Sequence, residues 1–160
     1  MMKLTASFAF ALAIGMVSIP TAVLAADQLQ LSSAVFVEKQ KQRADGSVTT
    51  VLEAPNLVTP GDNLVFVVKY KNTGAAPAEK FVVTNPLPKA VAFNGTSDGL
   101  EVVSIDGGNN WGFLNNLRLQ SSDGKSRPAL MSDVTHIRWN LNQPIAAGSE
   151  GKLIFRGIVR

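Results

Sequence analysis

The residue types that most often carry chemistry are sparse in this sequence. His136 is the only histidine and there is no cysteine, so the sequence does not supply the convergent nitrogen and sulfur ligands of a zinc site. No G-x-S-x-G or comparable nucleophile motif accompanies His136, and we expect its ring to point to solvent. The sequence therefore predicts a protein that is not an enzyme, with no catalytic residue, no metal site and no cofactor.

The oxygen-rich segment Asp106–Asn110 has the sequence DGGNN. Calcium takes oxygen ligands at alternating loop positions, but a calcium loop also carries further acidic residues and a distal glutamate, which this segment lacks. Asp, Asn and Gly are also the usual residues of tight turns, because their side chains hydrogen-bond to nearby backbone. We interpret the segment as a turn and keep calcium binding as the alternative.

Trp111 follows this turn directly. An aromatic ring presented there, with the loop asparagines, would form a platform for a small ligand or a glycan. The interpretation that we favour is a core residue that caps one end of the fold. A covalent bond between Lys69 or Lys71 and Asn85 is a further alternative, although lysines near the end of a strand are usually solvated.

Alternating apolar and polar residues predict the strands that must position these side chains. Every second residue from Leu64 to Tyr70 is apolar or aromatic, which indicates one buried strand face. The segment 135–141 alternates in the same way, with Trp139 inward and His136 outward. The predicted core consists of Phe36, Leu64, Phe66, Val68, Tyr70, Phe81, Val83, Val103, Ile137, Trp139, Leu153 and Phe155.

Short strands at close spacing, separated by Gly, Pro, Asn and Asp, extend through the rest of the chain. This pattern predicts an all-β fold, an immunoglobulin-like antiparallel β-sandwich of about seven to eight strands. The segment 111–119 is a further strand or an ordered loop, and 121–127 is the most loop-like part. The predicted strands are 34–41, 47–53, 64–71, 81–84, 100–105, 135–141 and 152–159.

Residues 1–25 have the layout of a secretory signal peptide, which forms a helix in the precursor. Lys3 is the only charge before Asp27, and an apolar run is followed by small residues. We predict cleavage after Ala25 or Ala26, with a retained anchor helix as the alternative. A single domain over residues 34–160 follows.

Composition limits the classes of partner. Removal of the signal peptide takes away Lys3 alone and lowers the formal net charge of +3 by one, which is too small to indicate nucleic-acid binding. No second apolar run of membrane length occurs. The mature chain is therefore predicted to be soluble in the periplasm or outside the cell.

Three turn motifs stand in order along the chain: TPGD at Thr59–Asp62, NTG at Asn72–Gly74 and NPLP at Asn85–Pro88. Together with SIDGG at Ser104–Gly108, and Trp139 with Ala147 and Gly148 further on, they resemble the bacterial conserved repeat domain, also called domain of unknown function eleven. The resemblance covers about residues 34–159.

The resemblance implies an immunoglobulin-like sandwich in a secreted or surface protein, and it implies no reaction. The family often occurs as tandem repeats in long surface proteins, whereas here a single copy fills the chain. Asn85 stands where the family usually has Asp.

Two functions follow as hypotheses. The first is a structural or interaction module that presents a strand edge or loops to an envelope or extracellular protein. We place that edge on the last strand, where Ile154 and Ile158 lie on the face opposite Leu153 and Phe155. The alternative is a binder of small ligands or glycans that uses the Trp111 loop.

Overall fold

The computed structural model describes residues 29–120 and 124–160. The predicted signal peptide and its cleavage sites at Ala25 and Ala26 lie outside these residues, and their processing stays a prediction. No helix in the described part is long and apolar enough to cross a membrane. The described strands are β1 Leu29–Gln42, β2 Val48–Glu53, β3 Asn63–Asn72, β4 Phe81–Pro86, β5 Val91–Thr96, β6 Val102–Ser104, β7 Arg118–Gln120, β8 Ser126–Pro128, β9 His136–Leu141 and β10 Glu150–Val159.

Two antiparallel sheets make up the body of the fold. The five-stranded sheet has the order β2-β1-β3-β10-β5, and the three-stranded sheet has the order β4-β9-β6. β7 and β8 form a separate short hairpin. Since buried side chains from both principal sheets meet in one core, the prediction of an all-β, immunoglobulin-like antiparallel sandwich is confirmed.

Aromatic side chains join the two sheets at the centre of the core. Phe66 on β3 stacks on Phe155 on β10 with ring centroids 4.4 Å apart. Trp139 on β9 packs against Phe155 from the opposite sheet, with centroids 6.1 Å apart. Trp139 is 2% exposed and Ile137 is fully buried, so the predicted inward face of this strand is confirmed. Each such side chain stabilises the fold by about 1.5–3 kcal/mol.

One member of the predicted core is wrong. The buried residue of β1 is Val37, which is 1% exposed, and not its neighbour Phe36. Val37 pairs with the inward-facing Leu64, which places Phe36 on the outer face beside Val65. A shift of one residue reverses the faces of a strand, and the consecutive apolar residues 34–37 do not by themselves indicate which face is inward. The remaining predicted residues lie in the core or, for Tyr70 and Phe81, pack against it.

The strand β5 was not predicted from the sequence. Val91 and Phe93 are its buried residues, and their alternation is too short to stand out from the loops around them. β5 pairs with β10 through an irregularity between Phe155 and Gly157. A Cβ atom at Gly157 would collide with the Val91 side chain, so glycine leaves room for this side chain to pack over β10.

The turn motifs form hydrogen bonds both within their own loops and to distant segments. The side chain of Asn72 is fully buried, and its Nδ2 donates to the carbonyl oxygens of Ala76 at 2.9 Å and Ile145 at 2.8 Å, while its Oδ1 accepts from the Gly74 amide. Asp62 accepts hydrogen bonds from Lys39 Nζ and from the Thr59 amide, both at 2.8 Å. These bonds, that from Lys39 first, lower the pKa of Asp62.

Candidate functional site

The first half of β1 is an open edge of the five-stranded sheet. Leu29 to Val37 pair with β3 on one side, whereas β2 pairs only with Val37 to Gln42 on the other. Among the described residues, no strand therefore pairs with the outer side of Leu29 to Phe36. This part of β1 presents backbone N–H and C=O groups that another extended chain can bond.

This edge lacks the usual protection. Natural edge strands carry charged residues, especially Lys, or proline, which hinder pairing with another chain. Leu29 to Phe36 contain neither a charged residue nor a proline. Leu31 is 51% exposed, and Ser32, Ser33 and Ala34 are exposed as well. In the sequence this edge is marked by the absence of charged residues and not by a motif.

A groove of about 540 Å³ lies beside the open edge, across β1, β3 and β10. Because side chains alternate between the two faces of a strand, six of the lining residues direct their side chains to the outer face of the sheet. The backbone of the residues between them forms the floor of the groove. On the inner face the Tyr70 ring covers Gly151, where any Cβ atom would collide with it. The six outer residues are Gln30, Ser32, Lys69, Lys71, Glu150 and Lys152.

The groove is basic. Lys69 and Lys152 are directly opposite each other on neighbouring strands, an arrangement of like charges that destabilises a sheet. Lys71 lies 4.0 Å from Glu150, at the limit of an ion pair. Within the described residues no carboxylate forms an ion pair with Lys69 or Lys152. The groove therefore has an excess of positive charge.

The last strand is not an edge, which corrects the placement of the predicted docking strand. β10 is hydrogen-bonded to β3 on one side and to β5 on the other. Ile154 and Ile158 lie on the outer face of the sheet and are half-buried. The Arg156 side chain between them forms an ion pair with Glu38 at 3.3 Å.

Trp111 lies against the outer face of the three-stranded sheet, so it is neither a core cap nor a freely presented platform. The Arg138 guanidinium sits 3.6 Å from the centre of its ring, and His136 meets it edge-on. The indole Nε1 donates to the carbonyl oxygen of Gly108 at 2.8 Å. His136 is half-buried by these contacts and is not directed freely to solvent as predicted.

The Asp106 loop satisfies its own carboxylate. Oδ1 accepts hydrogen bonds from Ser104 Oγ and from the amides of Asn109 and Asn110, and Oδ2 accepts from Asn110 Nδ2. These bonds, that from the Asn110 amide first, lower the pKa of Asp106 to about 2. The described residues contain no cluster of three or more His, Cys, Asp or Glu side chains that would hold a metal ion. The geometry supports the interpretation of this loop as a turn.

The proposed Lys–Asn bond has no support in the sheet arrangement. Lys69 and Lys71 are on β3 in the five-stranded sheet, whereas Asn85 is on β4 in the three-stranded sheet. The two lysines face outward, and Asn85 pairs with the inward-facing Ile137. The groups therefore lie on different surfaces, because β3 and β4 belong to different sheets.

No protein-family model, curated protein or solved structure matches this chain. The resemblance to the conserved repeat domain therefore stays a prediction that rests on the turn motifs alone.

Proposed function

We propose that this protein is an exported, non-catalytic interaction module that binds an extended segment of an envelope or extracellular protein along the first half of β1. The observation that supports this proposal is the open edge from Leu29 to Phe36, which carries no charge and no proline. A segment that adds itself to such an edge gains main-chain hydrogen bonds, and its alternating side chains are read by the two faces of the sheet.

The edge is also held firmly enough to serve as a template. Leu29 to Val37 are in continuous register with β3, and β3 is in turn paired with β10 along most of its length. Val37 anchors the end of the edge in the core. A docked strand would therefore add to a preformed edge. The entropic cost of becoming ordered on binding would fall mainly on the partner segment.

Ligand or glycan binding at Trp111 has weaker support. One face of the indole ring is occupied by the Arg138 guanidinium, and its N–H group is already bonded to Gly108. A sugar or a planar ligand could therefore stack only on the ring face that Arg138 does not occupy.

A pair of proline variants tests the edge. Alternate residues of an antiparallel strand direct their backbone groups toward opposite neighbours. One of the two variants Ser32→Pro and Ser33→Pro therefore removes an N–H group that faces β3. The other removes an N–H group that faces outward. The variant that keeps the thermal unfolding midpoint of the wild type identifies the outward position. The other variant serves as its matched control for a folding defect.

The binding probe is a fluorescent peptide that alternates valine and threonine and is long enough to span Leu29–Phe36. We expect measurable binding by fluorescence anisotropy, and loss of binding in the stable proline variant, because proline cannot donate to the new ladder. Equal binding by this variant and the wild type would refute the proposal. A dimer of the protein itself, abolished by the same proline, would instead identify a second copy as the occupant and would also overturn it.

A further inference from the structure

The cations of the five-stranded sheet fall into two groups. Lys39, Lys41 and Arg156 each lie within 3.3 Å of a carboxylate oxygen, on Asp62, Glu53 and Glu38 respectively. Lys69 and Lys152 form no ion pair within the described residues, although both are on the same sheet. They also face each other across β3 and β10, so that the excess charge is concentrated in the groove.

The groove lies within reach of a strand docked at the open edge. Neighbouring strands are about 4.8 Å apart, so a segment paired with β1 would lie about 10 Å from β3. A lysine and a glutamate side chain extended toward each other span this distance. The side chains between them on β1 are those of Gln30 and Ser32, which are uncharged and do not compete for either charge.

We infer that the groove selects acidic side chains at every second position of the docked segment, through contact with Lys69 and Lys71 on β3 and through the added positive charge of Lys152 on β10. The inference rests on the proposed function, and it names the chemistry of the partner: an extended acidic peptide whose carboxylates share the outer face of the sheet. Residues at the intervening positions point to the inner face, beside the exposed side chain of Leu31, and are apolar.

The alternation is a geometric requirement. Gln30 and Ser32 mark the outer face of β1, while Leu31 and Ser33 mark the inner face. Because side chains in a strand alternate between the two faces, consecutive acidic residues would direct half of their charges away from the groove. A segment with acidic residues at positions i and i+2 directs both toward it.

Three peptides of the same length test the inference. One alternates valine with glutamate, one valine with threonine and one valine with lysine. We expect the glutamate peptide to bind about threefold to tenfold more tightly than the threonine peptide at low salt, the scale of a few solvent-exposed ion pairs. The lysine peptide should bind more weakly than the threonine peptide, and added salt should reduce both differences.

Variants of the protein assign the effect to the groove. The double variant Lys69→Gln and Lys152→Gln should lose the preference for the glutamate peptide and keep its affinity for the threonine peptide. Lys41→Gln is the matched control, since it removes a cation from the same sheet outside the groove, where Lys41 is paired with Glu53. It should keep the preference.

The outcomes separate this inference from the proposed function. Equal affinity of the glutamate and threonine peptides would overturn the inference and leave edge docking in place. Binding of the glutamate peptide that survives the stable proline variant would show anion capture without strand pairing and would overturn both. Failure of every peptide to bind would refute the proposed function itself.

Discussion

The turn that begins at Asn72 and the open edge that begins at Leu29 are neighbours, since these two residues pair across β1 and β3. The turn carries a recognisable motif, and the buried Asn72 side chain forms its hydrogen bonds within the protein, to its own loop and to the distant Ile145 carbonyl oxygen. The edge carries no motif, and one side of its backbone has no partner strand among the described residues.

This difference indicates which parts of a small β-sandwich can bind a partner. A polar side chain whose groups are satisfied internally stabilises the fold and has little left to offer a partner. Unpaired backbone groups, and charged side chains without an ion-pair partner, remain available to bind another protein. Changes to the first kind of region should alter mainly stability, and changes to the second should alter mainly binding.

The largest expected effect is a loss of stability on substitution of Trp139 in the core. Trp139→Ala should lower the free energy of unfolding by about 3–5 kcal/mol, because the ring packs against Phe155 in the centre of the core. Its indole Nε1 has no hydrogen-bond partner within the described residues, so the cost comes from packing. Urea unfolding followed by circular dichroism measures it. His136→Ala, on the other face of β9, should cost far less, and equal costs would contradict the observed register.

The next largest effect is expected at Asn72. Asn72→Ala removes the hydrogen bonds to the Ala76 and Ile145 carbonyl oxygens and from the Gly74 amide. The Ile145 oxygen keeps its bond from the Ala78 amide, so we expect a cost of about 1–3 kcal/mol. The same urea titration measures the loss, and Asn140→Ala at an exposed position of β9 is the control. Affinity for the edge-binding peptide should not change. If the Asn72→Ala variant is as stable as the wild type, the turn does not stabilise the fold and the contrast between the turn and the edge is wrong.

A smaller effect is expected from the titration of Asp106. Its pKa in the folded protein is about 2, against an ordinary value of 3.8, because its own loop donates hydrogen bonds to the charged form. A lowered pKa contributes stability that is present above the unfolded value and is lost as the pH falls through the folded value.

We therefore expect part of the thermal stability to be lost between about pH 4 and pH 2. Asp106→Asn should lower the unfolding midpoint at neutral pH and flatten its dependence in this window. Glu79→Gln, at an exposed position, controls for the loss of one negative charge. An unchanged pH profile in Asp106→Asn would show that the loop does not depend on the carboxylate.

The smallest effect is expected at Ile158. This residue is half-buried on the outer face of β10, and β3 separates β10 from the open edge. Ile158→Lys should change the free energy of unfolding by less than about 1 kcal/mol and leave peptide affinity unchanged in the anisotropy assay. Loss of binding in a folded Ile158→Lys variant would extend the docking surface across the sheet and weaken the contrast between its edge and its face.

The sequence by itself determined the fold class and most of the strands. Period-two alternation is a local property of the chain, so it located β3 and β9 and placed Trp139 inward without knowledge of their neighbours. The turns at Thr59–Asp62 and Asn72–Gly74 each contain a hydrogen bond between residues close in sequence, which is why their positions were visible as well. Their bonds to Lys39 and Ile145 were not visible, because those residues are distant in sequence. Alternation was insufficient where it was short, as in β5, or where both faces carry apolar residues, as at Phe36 and Val37.

Only the tertiary structure decided which strands are neighbours. Strand order depends on pairings between distant parts of the chain, and alternation has the same appearance in a central strand and in an edge strand. β10 is the last described strand and nevertheless lies between β3 and β5. The first half of β1 has an open side although β1 lies between β2 and β3, because β2 pairs only with its second half. The basic groove likewise combines Lys69 and Lys71 with Lys152, which is far from them in sequence. The three side chains form one surface because antiparallel pairing brings them to the same face of the sheet.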